Sequence, residues 1–361
     1  MKLAFDVIGS APSSGGVELH AREFLHAWAE QYPDDEVIAV GTRWESLSPE
    51  CASRVRWIHW PARSFLWRII GQLLFVPLLM KLHRTHLLLV SVPVLSPLSP
   101  NRRSFVFAHD WRHVTNPQEF PILRRIYRSV WRSTVNRAAT TFCVSHKSLN
   151  ETRNIAPNSV LVLAENGRDH ALRWETEPSR AEALQALLGK SRVVVTFGHW
   201  NNKRPELVIA ALGMLDRTVA PHLIVLGARS GYRESLLKLA KAHGISERVH
   251  LPGFVPDRDY QAIMKRADCV VLASSDEGFG LPVAEALSLG HPVVVTSDSG
   301  LGEIFGNSVR AVPPEPEALG QAISDALAQD RTAGHQTSIN SWRDTAAVVH
   351  EAIASTLKCS T

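Results

Sequence analysis

Two series of short apolar, β-branched runs, each run followed by a helical pattern, constrain this chain more than any other feature. The first series is Leu3 to Ile8, Val37 to Val40, Leu87 to Val90, Ser104 to Ala108 and Thr141 to Val144. The second is Val193 to Phe197, His222 to Leu226, Val249 to Leu251, Cys269 to Leu272 and Pro292 to Thr296. Apolar strands that alternate with helices predict parallel sheets covered on both faces. A chain of 361 residues also exceeds what one hydrophobic core supports, so two domains are expected. Between the series lies NGRDHALRWETEPSR, polar and without periodicity, which sets a boundary near residue 170. The fold class is α/β, with two doubly wound halves.

Composition narrows the function classes. Cys51, Cys143, Cys269 and Cys359 lie far apart with no C-x-x-C pair, which argues against a zinc site and a disulfide framework and for a reducing compartment. The opening MKLAFDVIGS has Asp6 interrupting its apolar run, so it reads as a first buried strand and not as a signal peptide, and a cytoplasmic protein is expected. Net charge is +4, yet residues 51–168 hold 17 Lys and Arg against 4 acids, a balance of +13 that leaves −9 for the remainder. A basic half needs an anionic partner: nucleic acid, acidic lipid headgroups or a phosphorylated acceptor. Residues 54–82 mix Arg with Trp57, Trp60, Phe65 and Trp67 ahead of an apolar run that reads as too short to span a bilayer and broken by Arg68 and Pro77. Two readings stay open there, a helix buried on the first sheet and a segment lying in the membrane plane, with the positive charge favouring the second. Nucleic acid is not expected, because no recognition motif accompanies the charge.

The most informative block for chemistry is EGFGLPVAE, Glu277 to Glu285, continuing as ALSLGHPVVVT. Gly278 and Gly280 allow backbone conformations that other residues resist, so peptide N–H groups can come close to a ligand. Pro282 suits a first helical position, Gly290 ends the helix and Pro292 blocks its continuation. The free N–H groups and positive dipole end of such a helix favour phosphate or another oxyanion. Glu277 in the loop and Glu285 one turn into the helix then line one pocket, and carboxylates accept hydrogen bonds from sugar hydroxyls.

This arrangement resembles the E-x7-E motif of GT-B glycosyltransferases, most closely the retaining family 4 type. The resemblance implies that Glu277 touches the donor sugar, that Glu285 holds the nucleotide ribose, and that the amides of Gly278, Phe279, Gly280 and Leu281 face sugar and diphosphate. Other elements follow in the family's order. Gly15 and Gly16 open a helix where the family places a glycine pair facing the diphosphate, Gly16 being the better candidate. Gly198, Lys203 and Arg204 stand where the family has a glycine and two cations that neutralise the leaving diphosphate, though here the order is Lys then Arg and the small residue that usually follows is Pro205. His109 and Asp110, at the end of SFVFAHD, stand where a His or Asp meets the donor sugar near the acceptor; a structural His and a capping Asp are the alternative. Ser145 is similar to the family's serine motif and reads as a helix cap. Asn166 and Gly167 resemble its Asn-Gly turn at the hinge. Phe254, Val255 and Pro256 resemble the segment that packs on the base.

The resemblance implies a GT-B fold of two Rossmann-like domains with a cleft between them: residues 1–170 for the acceptor, 171–340 for the nucleotide sugar, and 341–361 as a helix returning to the first domain. His109, Asp110 and Glu277 are the catalytic candidates. The expected activity is retaining transfer of a sugar, mannose by mild preference, from a GDP- or UDP-sugar to a lipid-linked or saccharide acceptor, in surface polysaccharide or lipopolysaccharide assembly on the inner face of the cytoplasmic membrane. No Asp-x-Asp metal motif is read, so neither a divalent cation nor another cofactor is implied. A nucleotide-sugar epimerase or sugar phosphorylase on the same fold, and a sugar-nucleotide binding protein without turnover, stay open as alternatives.

Overall fold

The computed structural model describes residues 1–10, 15–44, 49–61, 64–175, 177–216, 220–329 and 340–358. Cys359 and parts of the polar stretches 11–14 and 331–339 lie outside them. The chain forms two compact units, Met1–Gly167 with Asn340–Thr361, and Arg168–Ile339.

The first unit carries seven parallel strands: β1 (Lys2–Asp6), β2 (Glu36–Gly41), β3 (Val55–His59), β4 (Leu87–Val90), β5 (Ser104–Ala108), β6 (Thr140–Cys143) and β7 (Leu161–Leu163). Their order is β3-β2-β1-β4-β5-β6-β7, so β1 is flanked by β2 and β4, with Leu3 opposite Val37 on one side and Leu87 on the other. The second unit carries β8 (Val193–Phe197), β9 (His222–Leu226), β10 (Val249–Gly253), β11 (Cys269–Leu272), β12 (Val293–Thr296) and β13 (Arg310–Val312), ordered β10-β9-β8-β11-β12-β13. In each sheet the strand order reverses beside its first strand, and loops at the carboxyl edge of such a switch point form the usual ligand crevice. Central strands are buried along their whole length, and the Val-rich interior of β8, β11 and β12 supplies much of the second core.

Three strands escape the sequence reading, and all three are edge strands: β3, β7 and β13. Each is partly exposed; β3 and β13 carry polar residues that interrupt the apolar run typical of a strand covered on both faces, and β7, though apolar, is only three residues long. β3 lies inside the stretch read as a single membrane or core segment.

The helices that matter below are α1 (Gly16–Gln31), α2 (Phe65–His83), α3 (Ile122–Ser129), α4 (His146–Ile155), α5 (Pro205–Gly213), α6 (Asp257–Arg266), α7 (Leu281–Ser288) and α8 (Trp342–Lys358). Pro77 does not break α2. A π-turn over Gly71–Phe75 precedes it, and Pro77 falls in the first turn of the following stretch, where its missing N–H is harmless. The result is 19 helical residues with an 18-residue window of mean hydropathy 1.6, long and apolar enough by length and composition to cross a membrane, contrary to the sequence expectation. Helix α8 packs on α1, with the Trp342 ring 5.5 Å from His20 and His350 stacked on Tyr32 at 3.7 Å. At Gly167 a Cβ would lie 2.2 Å from the Trp342 amide nitrogen, so only glycine lets the two chain crossings of this unit touch. Asn340 Nδ2 and Thr345 Oγ1 both donate to the Glu165 carbonyl at the same point, at 2.8 and 2.5 Å.

Candidate active site

In the second unit the loops after β8 and β11 flank the switch point, and they bring together residues 74 positions apart. Lys203 Nζ lies 2.6 Å from Glu277 Oε1, with Lys203 buried. Backbone contacts hold the pair in register: Asn202 Nδ2 donates to the Asp276 carbonyl at 2.9 Å, Ser275 N–H to the Asn202 carbonyl at 2.8 Å, and Glu277 N–H to the Ser299 carbonyl at 3.0 Å. A charged pair taken out of water is retained only when geometry and hydrogen bonds compensate, and here both conditions are met.

The loop continues into α7. Gly280 has φ 83° and caps the helix, and a Cβ there would meet Leu301 Cδ2 at 2.3 Å. Of the two loop glycines named from sequence, Gly280 alone adopts a positive φ. Phe279 and Leu281 are buried, Phe279 edge-on to Phe305 at 5.5 Å, so their side chains anchor the loop. What they leave for a ligand is backbone amide. Pro282 sits at the second helical position, one later than expected.

Glu285, one turn into α7, is buried and accepts hydrogen bonds from His170 Nε2 at 3.0 Å and from the Tyr260 hydroxyl of α6. Burial and the neighbouring Glu285 carboxylate push the Tyr260 hydroxyl well above its ordinary pKa, so it stays a donor. Neither partner is marked by the sequence motif. Phe254, at the end of β10, is 70 % exposed, a bare aromatic face beside Val255. Gly198 ends β8, where its amide donates to the Leu226 carbonyl at 2.8 Å.

Arg204, the second of the two cations expected beside the diphosphate, has protein partners of its own. It adopts the left-handed conformation, φ 44°, which costs a non-glycine residue about 1 kcal/mol, as the N-cap of α5. Its guanidinium turns to the carboxyl edge of the sheet and donates to the carbonyls of Ala273 and Ser274 at 2.7 and 2.9 Å, to Thr296 Oγ1 at 3.1 Å and to both Asp298 oxygens. Arg204 is therefore a staple between the ends of β11 and β12, and Lys203 is the cation placed against Glu277. One Asp-x-Asp does occur, Asp257-Arg258-Asp259, in the first turn of α6, where Asp259 pairs with Arg180. Among the described residues no three His, Cys, Asp or Glu side chains converge as metal ligands.

The carboxyl edge of the first sheet is built differently. His109, after β5, donates through Nε2 to the Ser91 carbonyl, 2.8 Å away, and burial holds its pKa below the usual histidine value. His20 stands edge-on to it at 4.7 Å and bonds Asn166 Oδ1 through Nδ1 at 2.7 Å. Burial drives the His20 pKa far down, so its ring is neutral. Asn166 is thus tied to α1. Burial pushes the Asp110 carboxyl up, but Arg128 and Arg112 outweigh it and the net shift is downward. Asp110 Oδ1 accepts the Arg112 N–H at 3.1 Å, the turn-capping role foreseen as its alternative. Ser145 caps α4 in a reciprocal capping box with Ser148. Gly15 has φ 72° and precedes Gly16, the first residue of α1.

Comparison with known proteins finds a family match in the second unit. The family described as "Glycosyl transferases group 1" matches residues 182–340, nearly the whole second unit. Residues 182–340 are thus similar to the group 1 glycosyl transferases. The O-antigen chain mannosyltransferase B of Escherichia coli is 31 % identical over 125 residues, covering 34 % of this chain and 30 % of that one. The chain spans less than half the length of the curated relatives it matches first. Among solved structures, HepE of Anabaena, crystallised with UDP and glucose, aligns over 99 % of this chain and 98 % of its own, with TM-score 0.66 and 22 % identity. WaaG, a glycosyltransferase involved in lipopolysaccharide biosynthesis, aligns over 98 % and 95 %, with TM-score 0.68 and 18 % identity. These likenesses are of fold, and the fold is GT-B.

Proposed function

We propose that this chain acts as a retaining glycosyltransferase, moving a sugar from a nucleotide-sugar donor to a lipid-linked or saccharide acceptor in surface polysaccharide or lipopolysaccharide assembly. The observation that carries the reading is the Lys203–Glu277 pair at the switch point of the second sheet. Breaking a sugar–phosphate bond builds negative charge on the departing diphosphate, and a fixed cation beside amides at the start of α7 stabilises that charge where it develops. Lys203 supplies the cation. Glu277, held against it, accepts from hydroxyls of the donor sugar; Glu285, oriented by His170 and Tyr260, accepts from the ribose; Phe254 offers the base a stacking face. In the first unit His109 and Asp110 serve the acceptor. Retention of configuration follows if the acceptor attacks on the face the diphosphate leaves, with the leaving phosphate taking the proton.

The donor class is supported by HepE, whose structure holds UDP and glucose, and mannose by the E. coli mannosyltransferase. A place in surface polysaccharide assembly is supported by that relative and by WaaG. The enzyme works without a metal at the cytoplasmic membrane face, in contact with anionic lipid. Glu277→Ala is the decisive test: transfer from a nucleotide sugar to membrane extract falls at least a hundredfold while the thermal midpoint shows a folded protein. Full transfer in that variant contradicts the reading.

A further inference from the structure

We propose that α2 and α3 together form a seat on which the first unit rests in the plane of an anionic bilayer. The seat deepens the membrane contact named above and rests on that reading for its purpose, though not for its geometry. One face of α2 presents Trp67, Leu74, Leu78 and Leu82, each between 46 and 71 % exposed and spaced by whole helical turns. The opposite face is core: Gln72, Val76, Leu79 and Met80 are buried, and a Cβ on Gly71 would meet Trp60 Nε1 at 2.4 Å. A helix buried along one side in its own protein does not cross a membrane, whatever its length, without opening that core.

Helix α3 continues the surface. Ile122, Leu123 and Ile126 are each more than 60 % exposed, with Arg124 and Arg125 exposed between them. The Phe65 ring at the start of α2 stands edge-on to Tyr127 of α3 at 5.1 Å, and the Tyr127 hydroxyl donates to Gln72 Oε1 at 2.6 Å, so the two helices share one patch. Apolar residues on this scale mark a surface that meets something other than water. Charge selects the occupant. From Ser64 to Arg137 the chain has 11 Lys and Arg and two acids, Asp110 and Glu119, and both acids are paired with Arg128 and Arg112. Arginines beside Trp, Leu and Ile, with no net negative charge to attract a cationic protein, match the boundary between acidic headgroups and acyl chains.

The test is sedimentation of the full chain with vesicles of phosphatidylcholine alone or mixed with phosphatidylglycerol. Wild type pellets with the mixed vesicles, less so at high salt, and is released by carbonate. Leu74→Glu with Leu78→Glu, and separately Ile122→Glu with Ile126→Glu, each lower vesicle binding about tenfold or more, because charges are costly at that depth. Both double variants keep the wild-type thermal midpoint and its rise with nucleotide sugar. Binding to mixed vesicles by a chain that gains no stability from any nucleotide sugar sustains the seat and counts against the transferase reading. Wild type left in the supernatant, variants that bind like wild type, resistance to carbonate, or a dimer that these same substitutions dissolve would each overturn the seat.

Discussion

The carboxyl edges of the two sheets share a strand order around their switch points and differ in how they handle charge. In the second unit charge is present and matched: Lys203 against Glu277, Arg204 against Asp298 and two carbonyls, Glu285 under His170 and Tyr260. In the first unit burial removes much of it, leaving neutral His20 and His109, a hydroxyl pair Ser10–Ser91 at 2.8 Å, and Asp6, whose carboxyl burial raises to about 7, while Asp110 keeps its charge against Arg128 and Arg112. A ligand that brings phosphate needs the first kind of edge. One that brings hydroxyls and an apolar carrier is served by the second.

The largest test of this contrast is Lys203→Met. Loss of a preorganised charge that acts on a developing anion costs about 10²- to 10³-fold in kcat. If Lys203 and Glu277 act on one donor, adding Glu277→Gln deepens the loss by less than the single effects multiplied. A drop under tenfold in Lys203→Met would reduce the pair to scaffolding, and the second edge would no longer be the charged one in function.

Asp6→Asn tests the other edge through stability. Its carboxyl accepts the Ile8 N–H at 2.9 Å, a bond Asn retains. The folded pKa of about 7 stands above the ordinary 3.8, so between those values the native state holds a proton that the unfolded state has released. Stability therefore falls as pH rises from about 4 to about 7 and levels off above, by at most about 4 kcal/mol at roughly 1.4 kcal/mol per unit. His20 acts in the opposite direction below its ordinary pKa, and comparison with wild type at each pH cancels it. Denaturant midpoints for Asp6→Asn should be flatter from pH 5 to pH 8 and higher than wild type at pH 8. Parallel curves would mean that Asp6 is ionised in the fold.

Legibility in the sequence follows the same division. Central strands are visible because burial on both faces demands unbroken apolar runs; edge strands β3 and β13 are not, because exposure relaxes that demand, and β7, apolar throughout, is too short at three residues to stand out. Glu277, Glu285 and Lys203 were found because loop glycines and helix starts fix their spacing locally. The different partners of Lys203 and Arg204 are not legible, because two adjacent cations look alike in sequence and only the left-handed backbone of Arg204 turns one of them away from the other. His170 and Tyr260 reach Glu285 from 115 and 25 positions away, a closeness that no local pattern records. Asp6 looked like a break in an apolar run, and its buried setting depends on how α2 folds across the end of β1.

The smallest effect separates binding from chemistry within the charged edge. Tyr260→Phe keeps the ring between Trp174 and Phe197, at 5.7 and 6.4 Å, and removes one of the two donors that orient Glu285. The loss of one hydrogen bond to a carboxylate is worth about 1.5–3 kcal/mol at most when it is buried, and part returns as the carboxylate leans on His170. If Glu285 holds the ribose, ground state and transition state lose that contact alike, so KM for the donor rises several-fold and kcat stays within about twofold. If kcat falls with KM unchanged, Glu285 acts at the reacting carbon and the division of labour between the two glutamates is reversed.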